Sequence, residues 1–237
     1  MKAKKINKLQ LSNDELLRYN KHALLEEIET DGLETLSQKH IAIVGLGGLG
    51  CPIAQYLSTS GIGEITLIDN DRVEETNLQR QILYTEADIG DFKTDVAYKR
   101  LKVLNVNINI NSFNVRLTDE SINLIKNVDI IIDATDNFKS RSSINRMSLI
   151  LKKPLIMGAA IKMQGQVAVF RNDLYGKPCY NCLYDDIDDE SNSCMDLGVL
   201  STLTGVFDSI QATEAIKILL GFGASVESTL LLVDLKH

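Results

Sequence analysis

A glycine-rich turn between an apolar strand and a helix constrains the fold of this chain more than any other feature. The stretch from His40 to Leu57 reads "HIAIVGLGGLGCPIAQYL", and its Gly45, Gly47 and Gly50 fit the pattern G-x-G-x-x-G. Backbone amides at the start of such a helix, with no Cβ atoms in the way, can approach a phosphate closely. The turn therefore predicts a nucleotide-binding loop, and by itself it leaves open whether the nucleotide is a redox dinucleotide or ATP.

Strands and helices alternate along the rest of the chain, which is typical of an α/β fold. We expect a Rossmann-like, mostly parallel sheet flanked by helices, with an antiparallel extension near the C-terminus. The nearly all-apolar run "DIIIDATD" at 129–136 predicts a central strand buried on both faces. The other predicted strands are 40–45, 64–69, 109–115, 154–159, 165–170 and 229–234, and the predicted helices are 49–60, 93–105, 138–151 and 206–220.

The length of the chain favours one domain. A chain of 237 residues, of which 44% are hydrophobic, fits one large α/β domain over 1–237 better than two small ones. Within it we expect an N-terminal helical arm at 1–30. We also expect a flexible crossover loop at 171–203, because regular patterning stops there and loops of this length are usually functional.

Charge and hydropathy narrow the choice of partners. A formal net charge of −7 argues against a general nucleic-acid binder, whose surface should be basic. No apolar run approaches the ~18 residues that a membrane-spanning helix needs, and no signal-peptide core follows the first lysines. We therefore expect a cytoplasmic protein that binds neither nucleic acid nor membranes.

Charged side chains beyond the second strand favour ATP over a dinucleotide. Arg80 and Lys93 suit phosphate oxygens, whereas a nicotinamide site needs a flat and largely apolar pocket. Asp69 ends the second strand, where its carboxylate can accept hydrogen bonds from a ribose. Asp136 follows the buried strand, where it can hold a hydrated magnesium ion that bridges phosphates. These positions, together with Asp71, Asn77 and Gln81, lie at the strand ends where open α/β sheets bind ligands.

Motifs along nearly the whole chain, from Leu11 to about Asp234, resemble those of the ThiF/MoeB/HesA family, the bacterial relatives of ubiquitin-activating enzymes. The matching stretches read "RYNKH", "GLGGLG", "LIDND", "NLQRQ", "DIGDFKTD", "ATDN", "CYNC" and "GVFDSIQATEAIKILLG". The resemblance implies a homodimeric adenylyltransferase that uses Mg-ATP. Such enzymes adenylate the C-terminal carboxylate of a small ubiquitin-like sulfur carrier that ends in Gly-Gly, and they release pyrophosphate.

The resemblance also implies roles for single residues. Gly48 and Asp69 would hold the adenosine, with Asp69 on the ribose, and Asp136 would position Mg²⁺. The phosphates would be held by Asn77, Arg80 and Lys93, and the remaining nucleotide contacts are expected from Gly45, Gly47, Asp71, Gln81 and Asn137. In the family an arginine of the neighbouring subunit also enters the site. Here that position is Lys21, which keeps the charge and lacks the planar fork.

The cysteines carry the second set of family expectations. In the family a pair like Cys179 and Cys182 joins a second Cys-x-x-Cys pair in a structural zinc site, and this sequence has no second pair. Because structural zinc needs four ligands, zinc would have to borrow a ligand such as Cys194 or a group from another chain. Cys194 also matches the position that forms an acyl disulfide with the carrier in ThiF-type members. Cys51, next to the glycine loop, is expected to pack as a small hydrophobe.

Three functional readings follow. The first is sulfur-carrier adenylation for thiamine or molybdopterin synthesis, with a cysteine desulfurase or rhodanese-type sulfur donor; the thiamine branch is favoured slightly. The second is a related activating enzyme whose substrate is a peptide or small-molecule carboxylate. The third is an NAD-binding oxidoreductase or a silent scaffold, in which the cations after Asp69 would have no task.

Overall fold

A seven-stranded sheet forms the centre of the protein, and the computed structural model describes residues 11–184 and 198–237. The strands are β1 (His40–Val44), β2 (Glu64–Ile68), β3 (Asn109–Phe113), β4 (Ile130–Asp133), β5 (Leu155–Ile161), β6 (Gln164–Phe170) and β7 (Leu230–Asp234). Their order in the sheet is β3-β2-β1-β4-β5-β6-β7. Neighbours from β3 to β5 pair in parallel, whereas β6 pairs antiparallel with both β5 and β7. The predicted fold class is therefore confirmed.

Helices cover both faces of this sheet. They are α1 (Asn13–Arg18), α2 (Asn20–Ala23), α3 (Glu29–Leu36), α4 (Gly50–Thr59), α5 (Lys93–Leu104), α6 (Phe138–Leu151), α7 (Tyr180–Leu183) and α8 (Ser201–Leu220), with short 3₁₀ turns at Glu75–Asn77, Glu86–Asp88 and Asp119–Ile125. One apolar core packs α4, α5 and α8 against the sheet, and a second packs α6 and α7 on the opposite face. Within 11–184 and 198–237, no helix is long and apolar enough to cross a membrane.

Two helices differ from the sequence prediction. Helix α8 begins at Ser201 rather than at 206, and α7 lies inside the segment predicted as an irregular loop. Four residues are too few to show helical periodicity, so α7 depends on tertiary contacts. The ring of Tyr180 packs edge-on against Phe170, with centroids 6.1 Å apart, and its backbone N–H donates to Asn145 Oδ1 at 3.2 Å.

The strand order creates a crevice at the carboxyl edge of the sheet. From β1 the chain continues to β2 on one side, while β4, which comes later in the sequence, pairs with the other side of β1. Connections therefore leave in opposite directions at the ends of β1 and β4, and open α/β sheets bind ligands at such a switch point. Every residue of β4 is buried, as predicted for a central strand.

The N-terminal helices lie at the opposite edge of the sheet. The hydroxyl of Tyr19 accepts a hydrogen bond from Asn105 Nδ2 at 2.8 Å. The ring of Tyr19 lies beside Gly61, just before β2. Tyr19, Ile28 and Leu33 form a small apolar cluster of their own with the end of α8. The described part of the segment predicted as an N-terminal arm contains α1 and α2, and α3 begins at its end and continues to Leu36.

Candidate active site

The turn after β1 has a shape that only glycine permits at two positions. Gly45 has a φ of +90°, and a Cβ atom there would lie 2.8 Å from the Ala134 carbonyl oxygen. A Cβ atom at Gly50 would collide with the Gly45 carbonyl oxygen. The turn therefore packs directly against the end of β4 and starts α4 without side chains, as a phosphate-binding loop requires.

The other two glycines of the turn face side chains of the site. A Cβ atom at Gly48 would lie 3.1 Å from Thr204 Cγ2 and 3.4 Å from Arg80 Cγ, and one at Gly47 would lie 3.7 Å from Gln81 Nε2. The structure thus brings Arg80 and Gln81 to the glycine loop, as the sequence predicts. Helix α8 also borders the glycine loop, through Thr204, and this contact was not predicted from the sequence.

Asp69 ties the glycine loop to the end of β2. Its Oδ2 accepts a hydrogen bond from the backbone N–H of Leu46 at 2.6 Å, and its Oδ1 accepts one from the N–H of Asp71 at 2.7 Å. Burial raises the pKa of Asp69, although the charge of Lys93 and these hydrogen bonds oppose the shift. The carboxylate is held in one orientation, and its remaining lone pairs are available to a ribose.

Lys93 lies at the start of α5 and is almost completely buried, with 6% of its surface exposed. Its Nζ forms an ion pair with Asp71 Oδ2 at 3.1 Å, and its backbone N–H donates to the Asp71 carbonyl at 3.0 Å. A buried ammonium is costly unless it is paired, so this contact explains why the lysine is tolerated there. A phosphate that enters the site would offer Lys93 a stronger partner than the exposed Asp71.

The segment between β2 and α5 carries the other predicted phosphate ligands. Asn77 is buried, and its Oδ1 accepts from the N–H of Glu74 at 3.2 Å, so it also shapes the local 3₁₀ turn. Arg80 is half-buried and donates through Nη1 to the Thr76 carbonyl at 3.0 Å. Gln81 is 3% exposed, and its Oε1 has no hydrogen-bond partner within the described part of the chain.

Asp136 lies just beyond β4, exposed to solvent, between two anchored neighbours. Its Oδ1 accepts a hydrogen bond from Asn137 Nδ2 at 3.3 Å, and Asn137 Oδ1 caps α6 by accepting from the N–H of Ser140 at 2.8 Å. An exposed carboxylate beside a phosphate loop fits Mg²⁺, which usually takes one or two protein carboxylates together with phosphates and waters. The described residues contain no group of three acidic, His or Cys side chains that would bind a metal without a substrate.

Three residues around the end of β4 form a buried network to which sequence reasoning assigned no role. Asp133 Oδ1 accepts hydrogen bonds from the N–H of Thr135 at 2.9 Å and from its hydroxyl at 2.7 Å. Arg141 Nη2 donates to the carbonyl of the same Thr135 at 2.8 Å. Burial raises the pKa of Asp133, and the nearby Arg141 charge opposes this shift. An acid inside an otherwise apolar strand was the signal that could have drawn attention to this network.

Lys21 does not join the site within its own chain. It lies exposed on α2, next to Tyr19 and therefore at the amino edge of the sheet, whereas the glycine loop lies at the carboxyl edge. A role for Lys21 would need a second copy of the chain, as the family resemblance implies.

Among the cysteines that the structure describes, Cys51 packs beside the glycine loop, whereas Cys179 and Cys182 belong to the α7 segment on the opposite face of the sheet. Burial raises the pKa of Cys51 to about 12, and its thiol donates to the Leu46 carbonyl at 3.2 Å, as expected for a packing residue. Cys179 and Cys182 have sulfur atoms 3.6 Å apart, and hydrogen bonds from Asn145 and nearby backbone amides lower the pKa of Cys179 despite partial burial. Cys194 lies outside the described residues.

Comparison with known proteins supports the family resemblance. The model of the ThiF family matches residues 19–237. A sulfur carrier protein adenylyltransferase from Thermus thermophilus is 40% identical over 95% of this chain and 86% of its own length. A molybdopterin-synthase adenylyltransferase from Escherichia coli is 41% identical over 95% of this chain and 90% of its length. The crystal structure of PaaA has the same fold, with a TM-score of 0.81 at 23% identity, covering 100% of this chain and 75% of that one.

Proposed function

The chain belongs to the ThiF family and is an adenylyltransferase that uses ATP, and from that premise we propose that its acceptor is the C-terminal Gly-Gly carboxylate of a small ubiquitin-like sulfur carrier. The names of the two relatives support the acceptor, and the arrangement around the glycine loop supports the use of ATP. Arg80 touches Gly48, Lys93 is held close to the loop through Asp71 and Asp69, and Asp136 follows the neighbouring strand. These charges suit the oxygens of a triphosphate.

The chain's own residues would align the two reactants. The glycine loop seats the phosphates, Asp69 binds the ribose, and Asn77, Arg80 and Lys93 stabilise the charge that develops at the α-phosphorus. The carrier carboxylate attacks that phosphorus, an acyl adenylate forms, and pyrophosphate leaves. The attacking carboxylate is already ionised at neutral pH, so alignment and charge stabilisation supply the catalysis and no general base is needed.

Magnesium is part of this proposal. When bound, Mg²⁺ neutralises phosphate charge and favours departure of pyrophosphate. Asp136 would hold it, and Asn137 keeps the Asp136 carboxylate oriented through the hydrogen bond to its Oδ1. Because ATP is the co-substrate, we also propose that the enzyme works in the cytoplasm.

We further propose that the enzyme is a homodimer in which Lys21 of one copy reaches the site of the other. The exposed position of Lys21 at the far edge of its own sheet supports a role in trans. Its ammonium would add one positive charge near the phosphates without the bidentate geometry of an arginine.

Sulfur chemistry after adenylation is proposed for Cys194 in a thiamine-type or molybdopterin-type pathway. The persulfide of a sulfur donor would attack the acyl adenylate and release AMP, which forms an acyl disulfide between the donor and the carrier. The Cys194 thiolate would then displace the donor thiolate, so that the carrier becomes linked to Cys194 through an acyl disulfide. A cysteine desulfurase or a rhodanese-type protein would supply the sulfur. A structural zinc ion at Cys179 and Cys182 would need two further ligands, such as Cys194 or groups from another chain. The proposed reaction requires no zinc.

Variants of Cys194 separate the two steps. We expect Cys194→Ser to adenylate the carrier at the parental rate and to form no disulfide-linked carrier once sulfur is supplied. Non-reducing intact-mass spectrometry would detect the adduct, and Cys182→Ser, which alters an exposed thiol away from the glycine loop, is the matched control. Equal amounts of adduct in Cys194→Ser and the parental enzyme would remove Cys194 from the mechanism.

A further inference from the structure

The guanidinium of Arg141 is an unusual buried charge. Arg141 is only 4% exposed, and arginine is rarely buried this deeply unless it is paired. Its hydrogen bond in the described part of the chain goes to a backbone carbonyl, that of Thr135, at 2.8 Å. The side chain therefore gives up hydration to hold one particular peptide group.

That peptide group belongs to the turn that presents Asp136. Thr135 is held from opposite sides, because Asp133 Oδ1 accepts from its N–H and its hydroxyl while Arg141 donates to its carbonyl. On the other side of Asp136, Asn137 is fixed as the cap of α6. Asp136 is thus an exposed carboxylate on a backbone that is anchored on both sides.

Aromatic rings shield this arrangement from water. The guanidinium carbon of Arg141 lies 5.9 Å from the centre of the Phe138 ring. The centroids of the Phe138 and Tyr184 rings are 6.3 Å apart, and those of the Tyr184 and Tyr180 rings are 4.8 Å apart. A hydrogen bond in such a water-poor site is stronger than one at the surface.

We propose that Arg141 is a positioning residue of the adenylation site, which fixes the Thr135 carbonyl so that the Asp136 carboxylate is pre-set to bind the metal–nucleotide complex. The inference rests on the proposed function for its effect on catalysis. Removing the Arg141 guanidinium leaves the Asp136 carboxylate unchanged, but the backbone next to Asp136 loses the hydrogen bond that anchors it. Loss of such an indirect support typically costs about 10- to 100-fold in metal affinity or activity.

Two variants, one single and one double, test this role. Arg141→Lys keeps the charge and loses the fork, and the pair Asp133→Asn with Arg141→Met removes both buried charges so that neither is left unpaired. The control is Arg146→Met, on the exposed side of the same helix, where Arg146 pairs with Asp119. Circular dichroism and urea unfolding verify that each variant is folded.

The readout is binding of Mn²⁺, as a probe for the Mg²⁺ site, in the presence of a non-hydrolysable ATP analogue, measured by electron paramagnetic resonance. We expect about tenfold weaker Mn²⁺ binding in Arg141→Lys, a larger loss in the double variant, and parental binding in Arg146→Met. The Mg²⁺ concentration for half-maximal pyrophosphate exchange should rise in the same order. Parental Mn²⁺ affinity in folded Arg141 variants overturns the inference. Absence of exchange in the parental protein contradicts the proposed function instead, and the Mn²⁺ titration still reports on Arg141.

Discussion

The charged residues of the proposed site already have partners within the chain, and in the proposed complex ATP would replace some of them. Lys93 is paired with Asp71, whereas Asp69 is bound to two backbone N–H groups that also shape the glycine loop. We infer that Lys93 exchanges its partner when phosphate binds, while Asp69 keeps its hydrogen bonds and adds the ribose. Lys93 is thus the residue that changes its partner on nucleotide binding, and Asp69 is the residue that keeps its orientation.

Arg80→Ala and Asp136→Ala test the central charges. Each variant should lose on the order of a hundredfold or more in ATP-dependent pyrophosphate exchange, because each loses one preorganised charge-stabilising group. Arg116→Ala, an exposed arginine in the connection between β3 and β4, is the control and should exchange normally. Parental rates in both site variants would mean that the nucleotide binds elsewhere.

Asp208 provides a prediction about pH. It is fully buried on α8, its Oδ2 has no hydrogen-bond partner within the described part of the chain, and burial raises its pKa to about 7. Between its unfolded pKa, about 4, and about 7 the folded state holds a proton that the unfolded state releases, so this group lowers stability as pH rises through that window.

Asp208→Asn should therefore raise the urea midpoint more at pH 8 than at pH 5. Urea unfolding of both proteins across this range measures the difference. Ser209→Ala, which removes the hydroxyl that donates to Asp208 Oδ1 and keeps the carboxyl group, is the matched control and should retain the pH dependence. An equal shift at both pH values in Asp208→Asn would show that the carboxyl does not titrate in this window.

The residue roles that could be predicted from sequence are those near a strand end. Asp69 and Asp136 lie at or just beyond the ends of β2 and β4, and Arg80 and Lys93 lie in the connection from β2 to α5 and at the start of that helix. The strand topology therefore brings all four to one edge of the sheet. Thr204 could not be predicted, because it approaches Gly48 only through the packing of α8, about 150 residues later in the chain, and no local pattern encodes such a contact. Arg141 was missed for a different reason: Thr135 is only six residues away, but a hydrogen bond to a backbone carbonyl leaves no pattern in the side-chain sequence.

At the scale of elements, the glycine loop depends on the close contact between Gly50 and the Gly45 carbonyl. Gly50→Ala should destabilise the protein by about 1–3 kcal/mol, because the added methyl group forces the backbone apart. Gly205→Ala is the control: nothing lies within 4 Å of its Cβ position in α8, and alanine there should stabilise the helix by about 0.5–1 kcal/mol. Urea unfolding measures both. Equal stabilities of the two variants would mean that the loop can relax.

Helices and strands could be predicted from sequence where the periodic apolar pattern runs over many residues or where the residues at their ends are typical caps or turns. Helix α6 spans Phe138–Leu151 as predicted, because Asn137 supplies a cap and Ile144, Met147 and Leu151 follow at helical spacing. The start of α8 was wrong because "STLTG" has a weak apolar stripe and contains a glycine. Helix α7 was missed because its stability comes from contacts with α6 and β6.

For the whole molecule, the proposed dimer makes a prediction that a monomer cannot satisfy. Lys21→Ala lacks the group supplied in trans, and Asp136→Ala lacks the group supplied in cis. In a mixture whose subunits exchange freely, half of the dimers combine the two variants, and each of these has one intact site. Exchange activity should therefore recover to about a quarter of the parental value.

No recovery in that mixture, with light scattering that shows only monomer at micromolar concentration, would contradict the dimer. Recovery is also absent if Lys21 acts within its own chain. A mixture of Asp136→Ala with Arg80→Ala is the control. Both residues are proposed to act in the site of their own subunit, so no mixed dimer has an intact site and no activity should be recovered.

The decisive experiment on the proposed activity is labelled pyrophosphate exchange with Mg-ATP and a panel of carrier proteins that end in Gly-Gly, combined with intact-mass detection of the carrier adenylate. The account predicts exchange that depends on the carrier's terminal carboxylate, a carrier adenylate in the mass spectrum, and loss of both in Arg80→Ala. Exchange with peptides or small carboxylates and with none of the carriers would contradict the proposed acceptor. Tight NADH binding without ATP binding would contradict the account of the nucleotide site itself.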